Sequence, residues 1–168
     1  AEPVQVTGGL IEGTTGSDPV VRVYRGIPFA APPVGPLRWK APQPVAPWTG
    51  VRKADAWGTR CMQAAMWGEP LVSREAEMGE DCLYLNVWTT ARPGEKQPVL
   101  FVIHGGGFAQ GSSSEPRTDG EWFAKRGIVV VEPNYRLGVI GFMAHPELSA
   151  ESGGKGSGNY GLLDQAAA

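Results

Sequence analysis

Val99-Leu100-Phe101-Val102-Ile103 followed by His104-Gly105-Gly106-Gly107-Phe108 is an apolar run that ends on bare backbone. The run is short, rich in β-branched residues and reads as a strand. The three successive glycines after it carry no Cβ, so the chain can take positive φ values there and bring its N–H groups close to a reacting group. Backbone amides presented in this way can hold an oxyanion. A glycine-rich turn also serves simply to reverse the chain, and the flanking sequence has to separate the two readings.

Downstream of the turn, Glu121 to Arg126 reads as a short helix ending at Gly127, and Ile128-Val129-Val130-Val131 as a fully buried strand, apolar on both faces. Strand, helix, strand predicts a parallel pairing with Val99 to Ile103 and an α/β architecture. Upstream, Leu83 to Trp88 is a strand separated from Pro98 to Ile103 by the polar turn Arg92 to Lys96, which predicts an antiparallel hairpin. Further back, Val4 to Ile11 and Val20 to Tyr24 are β-branched segments divided by Gly13, Thr14, Thr15, Gly16 and Ser17, the pattern of an antiparallel hairpin or meander. Between Pro28 and Pro47 prolines exclude regular ladders. Phe29, Leu37, Trp39 and Trp48 interleave with them, so this stretch is expected to be a loop pinned onto a core. The tail Leu162 to Ala168 begins a helix and stops without a cap, as the first part of something longer would.

The 168 residues are 42% hydrophobic and 19% charged, enough for one packed domain and too apolar for a disordered chain. A net charge of −2 with both signs intermixed leaves no electrostatic footprint for nucleic acid. The apolar runs fall far short of the roughly 20 residues a membrane-spanning helix requires. The chain opens on Ala1-Glu2-Pro3 without a basic segment and apolar stretch, as a processed exported protein does; a trimmed chain would look the same. Cys61 and Cys82 form an even pair with twenty residues between them, compatible with a disulfide loop. They lie outside CxxC or Cys/His zinc spacing, so neither a metal nor a cofactor is implied.

Four further blocks accompany the glycine turn: Gly26-Ile27-Pro28-Phe29-Ala30 with Pro32-Pro33 and Gly35-Pro36-Leu37-Arg38-Trp39; Glu80-Asp81-Cys82-Leu83-Tyr84-Leu85-Asn86-Val87-Trp88; Asn134-Tyr135-Arg136-Leu137-Gly138; and Gly158-Asn159-Tyr160-Gly161-Leu162-Leu163-Asp164-Gln165. Together they resemble the type-B carboxylesterases, the family of cholinesterases and para-nitrobenzyl esterases, from about Val4 to the last residue. The resemblance implies an α/β-hydrolase fold, antiparallel first strands leading into a mostly parallel twisted sheet. Residues 1–168 would be the N-terminal portion of a single such domain, its remainder a continuation or a second chain. It also implies oxyanion-hole amides at Gly106 and Gly107, a disulfide between Cys61 and Cys82, and ion pairs Arg38 with Glu80 and Arg136 with Asp164. Phe108 and Trp67 become candidate substrate contacts, since the loop Met62 to Met78 corresponds to a variable region that often borders the entrance. Trp57 and Trp122 are weaker candidates, core or surface packing being the commoner role of tryptophan. A disulfide places the protein in a secreted or periplasmic compartment.

The expected chemistry is hydrolysis of a small-molecule carboxylic ester through an acyl-enzyme. The G-x-S-x-G elbow that would hold a serine nucleophile is absent: Ser157 lies in Lys155-Gly156-Ser157-Gly158-Asn159, and Ser113 has Glu115 where glycine is required. Neither His104, which opens the turn, nor His145, which precedes Pro146 in a polar loop, is assigned as general base. Gly156 to Gly161 fits G-x-G-x-x-G but follows the polar loop Ser149 to Lys155 rather than a strand, so no dinucleotide site is assigned. The competing reading is a catalytically inactive binding or adhesion module on the same fold, as in neuroligins. The unbroken glycine turn favours the enzyme.

Overall fold

A computed structural model describes residues 2–64, 73–75 and 77–168. Its centre is a five-stranded mixed sheet in the order β3 (Thr14–Thr15), β4 (Arg22–Pro28), β8 (Tyr84–Thr89), β10 (Val129–Pro133), β9 (Val99–Phe101). A second sheet pairs β1 (Val4–Val6) and β2 (Gly9–Glu12) as an antiparallel hairpin and adds β5 (Val51–Lys53) parallel to β2. Two short strands, β6 (Arg60–Cys61) and β7 (Met78–Gly79), run parallel beside the disulfide that joins Cys61 to Cys82.

Alternation along β8 makes the central layer. Leu85 and Val87 face a cluster with Ile11, Tyr24 and Ile27, while Trp88 faces the opposite cluster of Val21, Val23, Ala124 and Val130. The register places Val23 and Val130 on either side of Trp88, so the largest side chain of the strand is enclosed from both neighbours. A third cluster joins both cysteines to Leu83, Tyr135 and Leu137.

Val99 to Phe101 runs parallel to Val129 to Val131, as strand, helix, strand requires. The expected hairpin of β8 with β9 does not form. Strand β10 lies between them, antiparallel to β8 and parallel to β9. The crossover through α1 (Glu121–Ala124) brings β10 back into the gap, and a central apolar strand satisfies its main chain on both edges there.

The burial expected of Ile128 to Val131 holds for Val130 alone; Ile128, Val129 and Val131 are half-buried, because α1 packs on the Val130 side. The strand also runs further than expected, through the fully buried Glu132 and Pro133.

The proline segment contains one 3-10 turn at Gly35–Leu37 and is pinned by its tryptophans: Trp48 Nε1 donates to Leu10 O at 2.9 Å and Trp39 Nε1 to Val139 O at 3.0 Å. Helix α2 (Gly138–Phe142) follows β10. Helix α3 (Pro146–Glu151) stands where the sequence reads as a polar loop; it takes Pro146 at its first turn and His145 as its cap, the imidazole accepting from Glu147 N at 3.3 Å. Helix α4 (Tyr160–Ala167) starts two residues before the expected Leu162 and packs on α2. Among the described residues no helix is long and apolar enough to cross a membrane.

Candidate functional site

The turn after β9 is held at both ends by the segment that leaves β10. Val102 N still donates to Val131 O at 2.8 Å, and the chain then departs from the sheet. His104 is buried, its Nδ1 lies 2.9 Å from Gly105 O, and its ring stacks on Tyr135 with centroids 4.5 Å apart. The Tyr135 hydroxyl donates to His104 O at 2.9 Å. Burial pushes the Tyr135 phenol up and the His104 imidazole down, so at neutral pH the first remains a donor and the second uncharged. At the far end, Gly138 N donates to Phe108 O at 2.7 Å and the Phe108 ring lies 5.1 Å from Phe142.

Between these anchors the backbone is left-handed at three consecutive residues: Gly106 at φ +121°, Gly107 at +63° and Phe108 at +61°. A Cβ at Gly106 would overlap the carbonyl oxygen of Gln110. Phe108 holds the same region with a side chain, a strain of about 1–3 kcal/mol that the anchors maintain. Gly106 O accepts from Ala109 N and Gln110 N at 3.1 and 3.2 Å. Among the described residues nothing accepts from the amides of Gly106 or Gly107. Two adjacent N–H groups on a stiff turn therefore remain for an external acceptor.

The loop beyond is fastened inward. Gln63 clamps Gly111 with both ends of its amide, Oε1 accepting from Gly111 N at 2.8 Å and Nε2 donating to Gly111 O at 2.9 Å. Ser112 and Ser114 spend their hydroxyls on the buried Glu75 carboxylate. Asn86 Nδ2 donates to Ser113 O and Oγ at 3.0 Å each. Ser157 Oγ touches Ser149 Oγ and the main chain of His145. None of these hydroxyls meets an imidazole.

Arg136 and Asp164 form a closed pair, with side chains 1% and 0% exposed: Nε donates to Oδ2 at 2.8 Å, Nη2 to Oδ1 at 2.7 Å, and Arg136 N to Oδ2 at 3.0 Å. This pair fixes the backbone between Tyr135 and Gly138, the two residues that grip the turn. Arg38 and Glu80 also pair, through two contacts of 2.5 Å, but with side chains 38% and 23% exposed. Trp57 lies against Trp88 with ring centroids 6.1 Å apart and planes tilted by 46°, and Trp122 is exposed on α1. Trp67 lies outside the described residues. Tyr135 and Gln63 were not singled out from sequence; only the position of Tyr135 directly behind a strand hinted at its role. No group of three His, Cys, Asp or Glu side chains among the described residues is arranged to hold a metal ion.

Glu132 lies in the same layer, wholly enclosed on β10. Neither carboxyl oxygen has a hydrogen-bond partner, and Thr118 beside it spends its hydroxyl on Glu115 O at 3.1 Å. Burial, reinforced by Glu115 and Asp119, pushes the Glu132 carboxyl up to about 8 from its ordinary 4.5. The folded state thus binds this proton more tightly than the unfolded state. Its stabilising effect is complete below the ordinary value and is lost as pH rises towards 8. Urea unfolding between pH 5 and 8 is expected to show stability falling by up to about 1.4 kcal/mol per pH unit from this group. Glu132→Gln is expected to remove that slope; an unchanged slope would show that Glu132 titrates normally.

The sequence profile of the Carboxylesterase family matches residues 1–168. The chain belongs to the carboxylesterase family. It is 47% identical over 161 residues to fumonisin B1 esterase of Sphingopyxis macrogoltabida, covering 95% of this chain and 29% of that protein. It is 43% identical over 161 residues to para-nitrobenzyl esterase of Bacillus subtilis (strain 168), covering 95% and 32%. The Geobacillus stearothermophilus carboxylesterase EST55 crystallised at pH 6.2 superposes with a TM-score of 0.85 at 40% identity, over 99% of this chain and 33% of that one. The fold is therefore the α/β hydrolase of the carboxylesterases, with its first strands antiparallel. This carboxylesterase chain spans about a third of the length of the relatives it matches.

Proposed function

We propose that this chain supplies the oxyanion-binding part of a serine carboxylesterase, as the N-terminal portion of one α/β-hydrolase domain. One observation carries the reading: the adjacent amides of Gly106 and Gly107, left without acceptors among the described residues, on a turn that Tyr135 and Gly138 hold from both sides. A serine outside these 168 residues attacks the ester carbonyl. The oxyanion of the tetrahedral intermediate then accepts from Gly106 and Gly107, the alcohol leaves, and water releases the acid from the acyl-enzyme. Phe108, half-exposed beside the two amides, forms part of the wall on which a small-molecule ester rests. The disulfide fits a secreted or periplasmic protein.

The test is fluorophosphonate labelling of the full-length protein, with para-nitrophenyl acetate hydrolysis alongside and mass spectrometry to locate the labelled serine. Labelling of a serine outside these residues is expected, and the 168-residue chain alone is expected to show no turnover. Full-length protein that neither labels nor hydrolyses would make the chain part of a binding module.

The grip of Tyr135 yields a further expected result. Tyr135→Phe keeps the ring stack but removes the hydrogen bond to His104 O, so kcat should fall about tenfold with KM unchanged, the equivalent of one hydrogen bond of about 1.4 kcal/mol. An equal change in kcat and KM, or none, would show that the hydroxyl does not set the turn.

A further inference from the structure

The glycine turn is gripped at its ends from the segment behind β10, but its middle is backed by Gln110 and Gly111. Gly111 has a left-handed φ of +122° and lies so close that a Cβ on it would stand 2.4 Å from both Gly105 O and His104 Nδ1. The Gln110 carbonyl presses on Gly106 in the same way, and the Gln110 amide donates to Gly106 O at 3.2 Å. A trans peptide points its N–H opposite to its C=O, so whatever holds Gly105 O and Gly106 O also aims the amides of Gly106 and Gly107. The peptide joining Gln110 to Gly111 is the surface against which both carbonyls are set, and a packed contact of this kind passes any displacement on to the turn.

Gln63 fixes that peptide. Its Oε1 accepts from Gly111 N at 2.8 Å, while its Nε2 donates to Gly111 O at 2.9 Å and to Cys61 O at 3.0 Å. Both amide hydrogens are thus used. The reversed amide would set donor against donor and its oxygen against two carbonyls, so only one orientation closes the clamp. The base of the clamp is rigid as well. Cys61 is buried and joined by the disulfide to Cys82, which stands beside the buried Leu83 at the entrance to β8. A covalent tie to the central sheet is thereby carried through one side chain to the turn.

We propose that Gln63 is a positioning residue for ester hydrolysis: through Gly111 it sets the direction of the Gly106 and Gly107 amides, an assignment that rests on the esterase reading of those amides. Its own polar atoms are spent on Gly111 and Cys61, so it acts on the donors and not on the ester. Donors fixed in advance of the oxyanion serve the transition state, which places the effect in kcat rather than KM.

The experiment combines para-nitrophenyl acetate kinetics with amide hydrogen exchange on the full-length protein. Gln63→Met keeps the length of the side chain and removes the clamp; kcat should fall about tenfold or more with KM within about twofold, and exchange at residues 109–111 should quicken severalfold. Gln63→Glu supplies a readout that packing alone would not move. As a carboxylate it faces Gly111 O and Cys61 O with no donor; protonated, it donates to Gly111 O and again accepts from Gly111 N. Its kcat relative to that of the unsubstituted protein should therefore rise severalfold as pH falls from about 8 to about 5, and this ratio decides the question even where Gln63→Met does not fold. An active protein whose kcat ignores Gln63→Met, a flat pH ratio for Gln63→Glu, or lost turnover without faster exchange at residues 109–111 would overturn the proposal alone. Full-length protein that neither labels with a fluorophosphonate nor hydrolyses the ester would overturn the esterase reading and the role of Gln63 with it.

Discussion

Gly107→Val in the full-length protein is expected to cost about 10² to 10³ in kcat on para-nitrophenyl acetate while most of the fold's stability remains. The position has open space around it, so a side chain meets no wall, but its φ of +63° is one that valine strongly avoids. The residue either keeps the left-handed conformation at about 1–2 kcal/mol or turns its peptide over and withdraws the amide from the oxyanion. Loss of one such donor accounts for the expected rate. Gly106→Ala makes the informative contrast. There the new Cβ runs into the Gln110 carbonyl, so both turnover and Tm should fall. Kinetics and thermal melts of the two variants separate the cases. Retained turnover in Gly107→Val, or activity and folding lost in equal measure, would refute the assignment of that amide.

Arg136→Met should destabilise the fold by about 3–5 kcal/mol, seen as a lower urea midpoint at unchanged m-value. The pair is closed to solvent, so removing the guanidinium leaves the Asp164 carboxylate with no water to replace two of its three hydrogen bonds, the one from Arg136 N alone remaining. It also removes the bond from Arg136 Nη2 to Lys40 O at 2.9 Å, which ties down the proline segment. The double variant Arg136→Met, Asp164→Leu should recover much of the loss, because a buried ion pair replaced whole costs far less than one broken in half. Unchanged unfolding of Arg136→Met would show that the pair contributes nothing to stability. The exposed pair Arg38 and Glu80 makes a natural control, since surface ion pairs are worth about 0–1 kcal/mol.

The strand into the glycine turn, the helix closing at Gly127 and the parallel return strand were all legible, because each is announced within a few residues. Apolar period, a terminating glycine and a missing Cβ are local signals. The β8 and β9 hairpin was misread for the same reason: adjacency in sequence was taken for adjacency in the sheet, and the edge that β10 fills is chosen by a segment some forty residues beyond β8. Helix α3 was readable from Pro146 and Glu147 behind His145, yet its polar composition suggested a loop. Glu132 was passed over because a glutamate after an apolar run ordinarily marks the return to solvent, whereas here the strand carries it inside.

What the sequence by itself determined is the family and the place of the turn: three glycines behind a strand, set among blocks in the order of one family, put bare backbone amides at Gly106 and Gly107. Only the tertiary structure decided what stiffens those amides and what lies away from them. Tyr135 reaches His104 across 31 positions, Gln63 reaches Gly111 across 48, and Arg136 closes on Asp164 across 28. Backbone preference is a property of a residue and its neighbours, and it is written in the chain. Hydrogen bonds and charges that close over such separations depend on which sheet edge a distant strand occupies, and burial settles that only when the whole layer packs.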